Sequence, residues 1–341
     1  LTADYGFNMK ENLMIRLNNT SAPTLKAELL RYPNIRNASA VSHVPASGIS
    51  YGNGFKKDIA EKDWLNIHYF VVDEDYLQNM EIQTVAGKFF QAANGASNKN
   101  FVVLNEEAVK VLNYKHPADA LGEELIYQPD SARKVIIGVV RNYNHSALMS
   151  KIEPMALLYD PEQVNIVQVR YEGDYAEAAQ VVEKAWAKVN PALRSDYKTV
   201  EEEIKYFYST IFGDVVNIVG VIAGLAILIS CLGLLGMATY TIETRKKEIS
   251  IRKVLGSSNR ALVLLLSKGF LMILIIAATI GIPLAFLLNN FWLQFMAYRT
   301  SVGLGTIATG VLLLTALGAA TIGSQTLRAA YTNPAENLKN E

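Results

Sequence analysis

Apolar and charged residues are distributed unevenly along the chain, and the distribution changes near residue 210. Before that point, apolar residues occur in short runs separated by charged and turn-forming residues. After it, three windows contain no charged side chain: 215–242, 269–298 and 300–327. A helix of about 20 apolar residues crosses a hydrocarbon core of roughly 30 Å. The pattern therefore predicts a domain of residues 1–210 and a membrane domain of residues 215–341, with transmembrane helices over 215–241, 266–288 and 304–327.

Within residues 1–210, two segments show the same order of predicted elements: strand, helix and strand. The first consists of NLMIRL (12–17), TLKAELLRY (24–32) and ASAVSHV (38–44), and the second of NIVQVRY (165–171), DYAEAAQVVEKAWAKV (174–189) and DYKTV (196–200). In the second helix, apolar residues recur every three or four positions, which is typical of a helix that packs on a sheet. These residues are Ala178, Val181, Val182, Ala185, Trp186 and Val189. Two such β-α-β units predict a split ferredoxin-like layer, formed by residues 1–45 and 164–200.

Between the two units lies a strand-rich insert, residues 46–163. Its predicted strands are WLNIHYFVV, FVVLN, KVIIGVV and MALLY, and EEAVKVL (106–112) is predicted as a helix. After the second unit, residues 201–214 continue as an amphipathic helical stalk toward the first apolar window. The predicted fold is thus an α+β domain followed by an all-α membrane domain of three helices.

The charged residues indicate how the chain is oriented in a membrane. Acidic and basic side chains balance, with 32 of each. The loop after the first window is nevertheless rich in basic residues: Arg245, Lys246, Lys247, Arg252, Lys253, Arg260 and Lys268. The connection between the second and third windows contains only Arg299. Because short loops rich in Lys and Arg stay in the cytoplasm, this loop and the tail 328–341 are predicted to be cytoplasmic, and the domain 1–210 extracytoplasmic.

The chain starts at Leu1, and no apolar segment precedes the first domain. A domain outside the cell must be translocated, so we expect a membrane segment upstream of this sequence.

Few residues indicate catalysis or metal binding. GISYG (48–52) matches G-x-S-x-G, but a nucleophile elbow needs a strand before the Ser and a helix after it. We therefore predict a glycine-rich loop rather than a catalytic Ser50. The histidines, His43, His68, His116 and His145, are far apart in the sequence and show no helical ligand spacing. We expect no catalytic residue and no metal.

Cys231 is the single cysteine, which excludes a disulfide framework. The sequence also lacks the phosphate-binding pattern G-x-x-x-x-G-K-[ST]. We therefore expect no cofactor in this chain; if ATP powers its function, another polypeptide binds the ATP and Mg²⁺. Membrane lipid is an expected partner, and nucleic acid is not.

The basic loop itself is predicted to be an ordered helix, residues 243–260. Two acid–base pairs have the favoured four-residue spacing, Glu243 with Lys247 and Glu248 with Arg252. Gly256 suits the end of a helix, and Ser257 or Ser258 can cap the next one. Apolar contacts would come from Ile249, Ile251, Val254 and Leu255. Basic residues that only fix orientation or bind anionic lipid would not need this order, so we predict that the loop binds a protein.

Small residues recur in the apolar windows. Gly220 and Gly224 form G-x-x-x-G, and Ala316 and Ala320 have the same spacing. Such spacing lets helix backbones approach closely in lipid, so these four residues are predicted to pack against another helix. Pro283 is predicted to kink the second helix. The centres of the windows carry no ionisable residue, which argues against an ion relay through the bilayer.

KEISIRKVLGSS (247–258), preceded by CLGLLGMATYTIETR (231–245), resembles the signature of the FtsX/MacB-type (type VII) ABC transporter permeases. Ser250 and Ser257 stand where that family usually has Gly and Ala. The resemblance extends to FWLQFMAYRT (291–300) and NPAENLKNE (333–341). In the first domain it covers YFVVDEDYLQNMEIQTVAGKFF (69–90), VVLNEEAVKVL (102–112) and VIIGVVRNYNHSAL (135–148), which are similar to the family's extracytoplasmic domain.

The resemblance implies a function. In this family the loop after the first clustered helix is a coupling helix on a cytoplasmic ATPase, and the permease transmits ATP-driven motion to the extracytoplasmic domain. Carried over, the ATPase contact would comprise Arg245, Lys247, Glu248, Ile249, Arg252, Lys253, Val254, Leu255 and Gly256. The implied partners are a cytoplasmic ABC ATPase, a second permease half or an identical mate, and a periplasmic adaptor. The implied location is the bacterial inner membrane, which the chain would cross several times.

Three roles are open within the family: export or efflux, lipoprotein extraction, and regulation of cell-wall hydrolases. We favour export, because a large two-part outside domain suits adaptor or cargo handling. Outside the family, the alternatives are a membrane-anchored sensor or binding protein without an ATPase, and a tethered hydrolase that uses Ser50. No residue of the sequence is diagnostic of a cargo.

Overall fold

The computed structural model describes residues 4–147, 151–293 and 304–331. The chain divides into two compact units, Leu1–Ile211 and Phe212–Glu341. The strands are β1 (Asn12–Arg16), β2 (Ile35–Val41), β3 (Tyr51–Lys56), β4 (Leu65–Val71), β5 (Thr84–Gly87), β6 (Phe101–Asn105), β7 (Glu124–Tyr127), β8 (Arg133–Val140), β9 (Met155–Leu158), β10 (Ile166–Tyr171) and β11 (Tyr197–Thr199). The α-helices are α1 (Ala22–Leu29), α2 (Tyr76–Met80), α3 (Glu106–Val111), α4 (Tyr175–Val189), α5 (Val200–Thr244), α6 (Lys246–Val254), α7 (Asn259–Leu293) and α8 (Leu304–Tyr331).

The two predicted β-α-β units form one antiparallel sheet, in the order β11-β1-β10-β2. This interleaved order is the one expected of a ferredoxin-like layer. Helices α1 and α4 pack against each other and contribute to the core of this layer. The predicted stripe of α4 faces that core: Ala178, Val182, Ala185 and Trp186 are buried, while Val181 and Val189 pack against it half-exposed.

The insert forms a second sheet, in the order β5-β8-β6-β9-β4-β3-β7. An additional pairing of β7 with the first half of β8 closes six of these strands into a barrel, and β5 pairs with the second half of β8. Closure matters because a closed barrel leaves no exposed strand edge for pairing with another chain.

Both faces of the central strands are buried. In β6, Val102 and Leu104 belong to one core cluster, whereas Val103 belongs to the other. The same division occurs in β9, where Leu157 and Leu158 face opposite sides. Burial on both faces explains why these strands are continuous apolar runs rather than alternating ones.

Three strands of the insert were missed by the sequence analysis, namely β3, β5 and β7. The prediction of a loop after Ser50 is wrong, because Tyr51–Lys56 is a strand paired with β4 and β7. Its glycines have a steric reason. A Cβ at Gly52 would lie 2.6 Å from Oδ1 of Asn66, and one at Gly54 would lie 2.2 Å from Oε1 of Gln128. Glycine in this strand thus marks the close approach of neighbouring side chains.

The second unit is helical in its described residues. The predicted stalk and first membrane span are one continuous helix, α5, which starts with buried Val200 and Ile204 in the first unit. Helices α7 and α8 pack against each other. Pro283 lies inside α7, as predicted from the second window. The loop with Arg299 and the closing NPAENLKNE lie outside the described residues, as does most of the predicted tail 328–341.

Within the described residues, one helix is long and apolar enough to cross a membrane, Val200–Thr244. Shorter apolar stretches occur at Ile275–Phe291 in α7 and Ala308–Thr321 in α8. The coarse prediction of a mixed α/β domain with a helical C-terminal part is confirmed. The count of three transmembrane helices is not, and it remains a prediction.

Candidate functional site

The short helix α6 has well-defined ends. Its first turn is continuous with the chain leaving α5, because the amide of Ile249 donates to the carbonyl of Arg245 at 3.0 Å. At its other end Gly256 has a φ of +91°, and the amide of Ser257 donates to the carbonyl of Arg252 at 3.0 Å. This 6→1 hydrogen bond over a left-handed residue is a Schellman motif. The predicted helix end at Gly256 is therefore confirmed.

The start of the next helix is also defined by a side chain. The amide of Ala261 donates to Oγ of Ser258 at 3.3 Å. Of the two serines predicted as candidates, Ser258 is therefore the one that caps α7. Helix α6 is thus closed at Gly256, and α7 begins three residues later. Residues 243–260 were predicted as a single helix. In the structure they comprise the end of α5, all of α6 and the first residues of α7.

The surface of α6 combines charge with exposed apolar groups. Arg252 pairs with Glu248 at 2.8 Å, as predicted, and each side chain is nearly half-exposed. Ile249 and Ser250 are buried, which explains why a small residue occupies position 250. Ile251, Val254 and Leu255 are instead 53%, 68% and 79% exposed. These three side chains present an apolar surface beside the ion pair, and the apolar contacts expected of them remain a prediction.

The remaining residues predicted for this surface lie on or beside the same helix. Arg245 lies between α5 and α6, with its side chain exposed. Lys247 is exposed on the first turn of α6. The pairing of Glu243 with Lys247 remains a prediction, and the side chain of Lys253 lies outside the described part of the structure.

The small residues of the predicted packing surface are exposed. Gly220 and Gly224 lie on α5, and no described atom lies within 4 Å of a Cβ built on either. Ala316 and Ala320 are exposed on α8. Their packing against another helix remains a prediction.

In the first unit the fold brings together residues that lie far apart in the sequence. His68 lies on β4, which pairs with β3 on one side and in parallel with β9 on the other. Ser50 precedes β3, and its Oγ hydrogen-bonds to Nδ1 of His68. Glu153 precedes β9, and its Oε2 lies 3.2 Å from Nε2 of His68.

His145 completes this group from the loop after β8. One ligand atom from each of His68, His145 and Glu153 lies within 4.8 Å of those of the other two. Burial lowers the pKa of His145 to about 4, and its buried Nε2 has no hydrogen-bond partner among the described residues. No sequence pattern marks this cluster, because strand pairing and not sequence spacing creates it. Ser50 is no nucleophile elbow, since a strand follows it instead of a helix.

Residues 220–334 match the family model described as FtsX-like permease C-terminal. No curated protein matches the chain. Among solved structures, the periplasmic region of MacB from Actinobacillus actinomycetemcomitans is 11% identical, with a TM-score of 0.43, covering 59% of this chain and 94% of that one. The extracellular domain of the noncanonic ABC-type transporter YknZ from Gram-positive bacteria is also 11% identical (TM-score 0.39, 55% and 98%).

A domain of a putative permease from Porphyromonas gingivalis is 14% identical, with a TM-score of 0.40, and covers 57% of this chain and 92% of that one. Because all three TM-scores are below 0.5, the assignment rests on the C-terminal match. By residues 220–334, the chain is similar to the C-terminal part of FtsX-like permeases, and this match supports a permease of the FtsX/MacB type.

Proposed function

We propose that this chain is the permease subunit of an ABC transporter, and that it transmits the motion of a separate cytoplasmic ATPase to its first domain, which lies outside the membrane. The transported process would be export or efflux. ATP and Mg²⁺ would be bound by the ATPase, and a second permease chain would complete the membrane part. Lipoprotein extraction and control of cell-wall hydrolases are the alternatives within the same mechanism.

The observation that carries the proposal is the surface of α6. A helix that only set membrane orientation would need basic residues, but it would need neither a Schellman end nor exposed Val254 and Leu255 beside an ion pair. Apolar side chains on a defined helix, flanked by both charges, are the features of a protein-binding surface. The helix is also joined by a short connection at each end to long helices, so displacing it would move α5 and α7.

The test is site-specific photo-cross-linking in the native membrane. A benzoyl-phenylalanine at Leu255 is expected to cross-link an ABC ATPase, identified by its peptides, because this side chain is 79% exposed on α6. The matched control is the same residue at Ile59, which is 68% exposed in the first unit. Cross-linking of lipid alone from position 255, or of the same partner from both positions, would contradict the proposal.

A further inference from the structure

The group formed by His68, His145 and Glu153 offers two imidazoles and one carboxylate to a common point. These residues come from β4, the loop after β8 and the segment before β9, so three separate parts of the insert meet there. Two imidazoles and one carboxylate are a ligand set typical of zinc sites with an open coordination position. Calcium and magnesium prefer oxygen ligands only, and they do not fit this set.

The hydrogen bonds of His145 leave one ring nitrogen free for a metal. Its Nδ1 lies 3.4 Å from the carbonyl oxygen of Tyr143. A carbonyl oxygen only accepts, so Nδ1 carries the proton and Nε2 carries the lone pair. That Nε2 is buried without a partner among the described residues, in a side chain that is 1% exposed. A histidine that donates one N–H to a backbone carbonyl and leaves the other nitrogen free is arranged as metal-binding histidines are.

The second histidine is held in a comparable way. Nδ1 of His68 is engaged by Oγ of Ser50, while Nε2 faces Glu153. When Nδ1–H donates to Ser50, the lone pair of Nε2 points to the side where Glu153 lies. Ser50 would then orient a ligand, which gives this serine a role other than attack on a substrate.

Glu153 is positioned by its backbone as well as by its side chain. Nδ2 of the buried Asn105 donates to the carbonyl of Glu153 at 2.9 Å, and Oδ1 of Asn105 accepts from the amide of Met155 at 2.9 Å. Oγ of Ser146 donates to Oε2 of Glu153 at 3.3 Å. The carboxylate side chain is 41% exposed, so it can move toward a metal from the solvent side.

From this geometry we infer that His68, His145 and Glu153 bind a divalent transition metal such as Zn²⁺. With Zn–N and Zn–O distances of about 2.0–2.2 Å, tetrahedral ligand atoms would lie about 3.4 Å apart. Nε2 of His68 and Oε2 of Glu153, 3.2 Å apart, already have about this spacing. His145 would have to move closer to both, because the ligand atoms of the three residues lie within 4.8 Å of one another. With three protein ligands, one coordination position would stay open.

The alternative use of the same residues is a hydrolase relay, with Ser50 as nucleophile. It requires the opposite tautomer of His68, in which Nδ1 accepts the serine proton and Nε2–H donates to Glu153. The metal site and the relay therefore exclude each other at His68, and experiments can separate them.

The experiment measures Zn²⁺ binding to the purified full chain in mild detergent, without a histidine tag, by competition with a chromophoric chelator. We expect one equivalent of Zn²⁺, at least tenfold weaker binding in His68→Gln and Glu153→Gln, and an intermediate loss in Ser50→Ala. Both ligand variants change partly exposed side chains, and circular dichroism verifies their fold. His116→Gln, which removes an exposed histidine elsewhere in the insert, is the control and is expected to bind as the wild type does.

Absence of saturable binding by the wild type would overturn the assignment, as would equal binding by the wild type and both ligand variants. A fluorophosphonate probe addresses the relay directly. Labelling of the wild type but not of Ser50→Ala, without Zn²⁺ binding, would replace the metal site by a serine hydrolase site. Absence of labelling together with one bound equivalent supports the metal site.

Discussion

Gly256 has a positive φ of +91°, which an L-residue with a side chain adopts only with strain. Gly256→Ala is expected to weaken the end of α6 by about 1–2 kcal/mol, because the Cβ disfavours the left-handed conformation. Hydrogen exchange at Leu255 and Ser257, whose amides close this end, should become about 5- to 30-fold faster.

Gly224→Ala is the matched control for this substitution. It lies inside α5, and a Cβ there meets no described atom within 4 Å. It should leave the exchange at α6 unchanged. Equal protection of Leu255 in both variants would show that Gly256 does not fix the end of the helix.

His43 is buried and stacks on Phe70, with ring centroids 4.0 Å apart. Burial lowers the pKa of His43 from 6.5 to about 4. Between these values the unfolded chain binds a proton that the folded chain does not, so the contribution of His43 to the stability of the first unit should rise from pH 4 to pH 6.5 and then level off. The shift corresponds to a contribution of about 3 kcal/mol.

His43→Phe keeps the stack and removes the proton. We expect a smaller rise in the urea midpoint between pH 4 and pH 6.5, measured by the fluorescence of the buried Trp186. A rise remains, because the pKa of His145 is also lowered to about 4. Phe70→Leu, which weakens the stack without removing a titrating group, should be less stable at every pH with the slope of the wild type. An unchanged slope in His43→Phe would contradict the assignment.

At the scale of elements, Asn105 ties three parts of the insert together. It caps α3 by accepting from the amide of Ala108 at 2.8 Å, and its two bonds to residues 153–155 hold the start of β9. Asn105→Ala leaves two amides and a carbonyl without this partner, so it should destabilise the first unit by about 3 kcal/mol. The urea midpoint checks this. Asn66→Ala, an exposed change on β4, should stay within about 0.5 kcal/mol of the wild type.

The ion pair on α6 can be exchanged without removing it. In the double variant Glu248→Arg/Arg252→Glu the four-residue pair re-forms with the less favoured order, so α6 should persist while its surface charges reverse. We expect ATP hydrolysis by the assembled transporter to be uncoupled from transport. The same exchange at Glu124 and Arg133, an exposed pair at 2.7 Å between β7 and β8, is the control. Normal transport by the α6 variant would contradict a coupling role.

The elements found from sequence and those missed differ in how they are stabilised. β6 and β8 were predicted because continuous apolar runs reflect burial on both faces, a property of the residues themselves. β3 was not, because its glycines reflect contacts with Asn66 and Gln128, which only the folded sheet provides. The ends of α6 were predicted for the opposite reason, since Gly256 and Ser258 act within a few residues of their own position.

The histidine cluster shows the same limit. His68 and Glu153 meet because β4 and β9 pair in parallel, with His68 opposite Met155. Parallel pairing joins strands that are distant in sequence, and no local pattern records it. His68, His145 and Glu153 therefore show no ligand spacing that the sequence could reveal.

At the scale of the whole molecule, the proposed orientation places residues 1–210 outside the membrane and the loop after α5 in the cytoplasm. In a Cys231→Ala background, a cysteine at the exposed Ser97 should react with a membrane-impermeant maleimide in spheroplasts. A cysteine at Leu255 should react only after the membrane is permeabilised, because the basic loop is expected in the cytoplasm. The reverse pattern of labelling would contradict the orientation.

The position of the barrel along the chain has a consequence for how such domains change in size. The chain leaves the four-stranded sheet after Val41 and returns at Ile166, and these two residues are direct partners in the antiparallel pair of β2 and β10. The whole insert therefore occupies the place of a hairpin turn. Pairing of the two flanking strands depends only weakly on the length of the segment that joins them, because loop-closure entropy grows slowly with loop length. Related proteins could therefore have a larger, smaller or different insert while β2 and β10 keep the same pairing register.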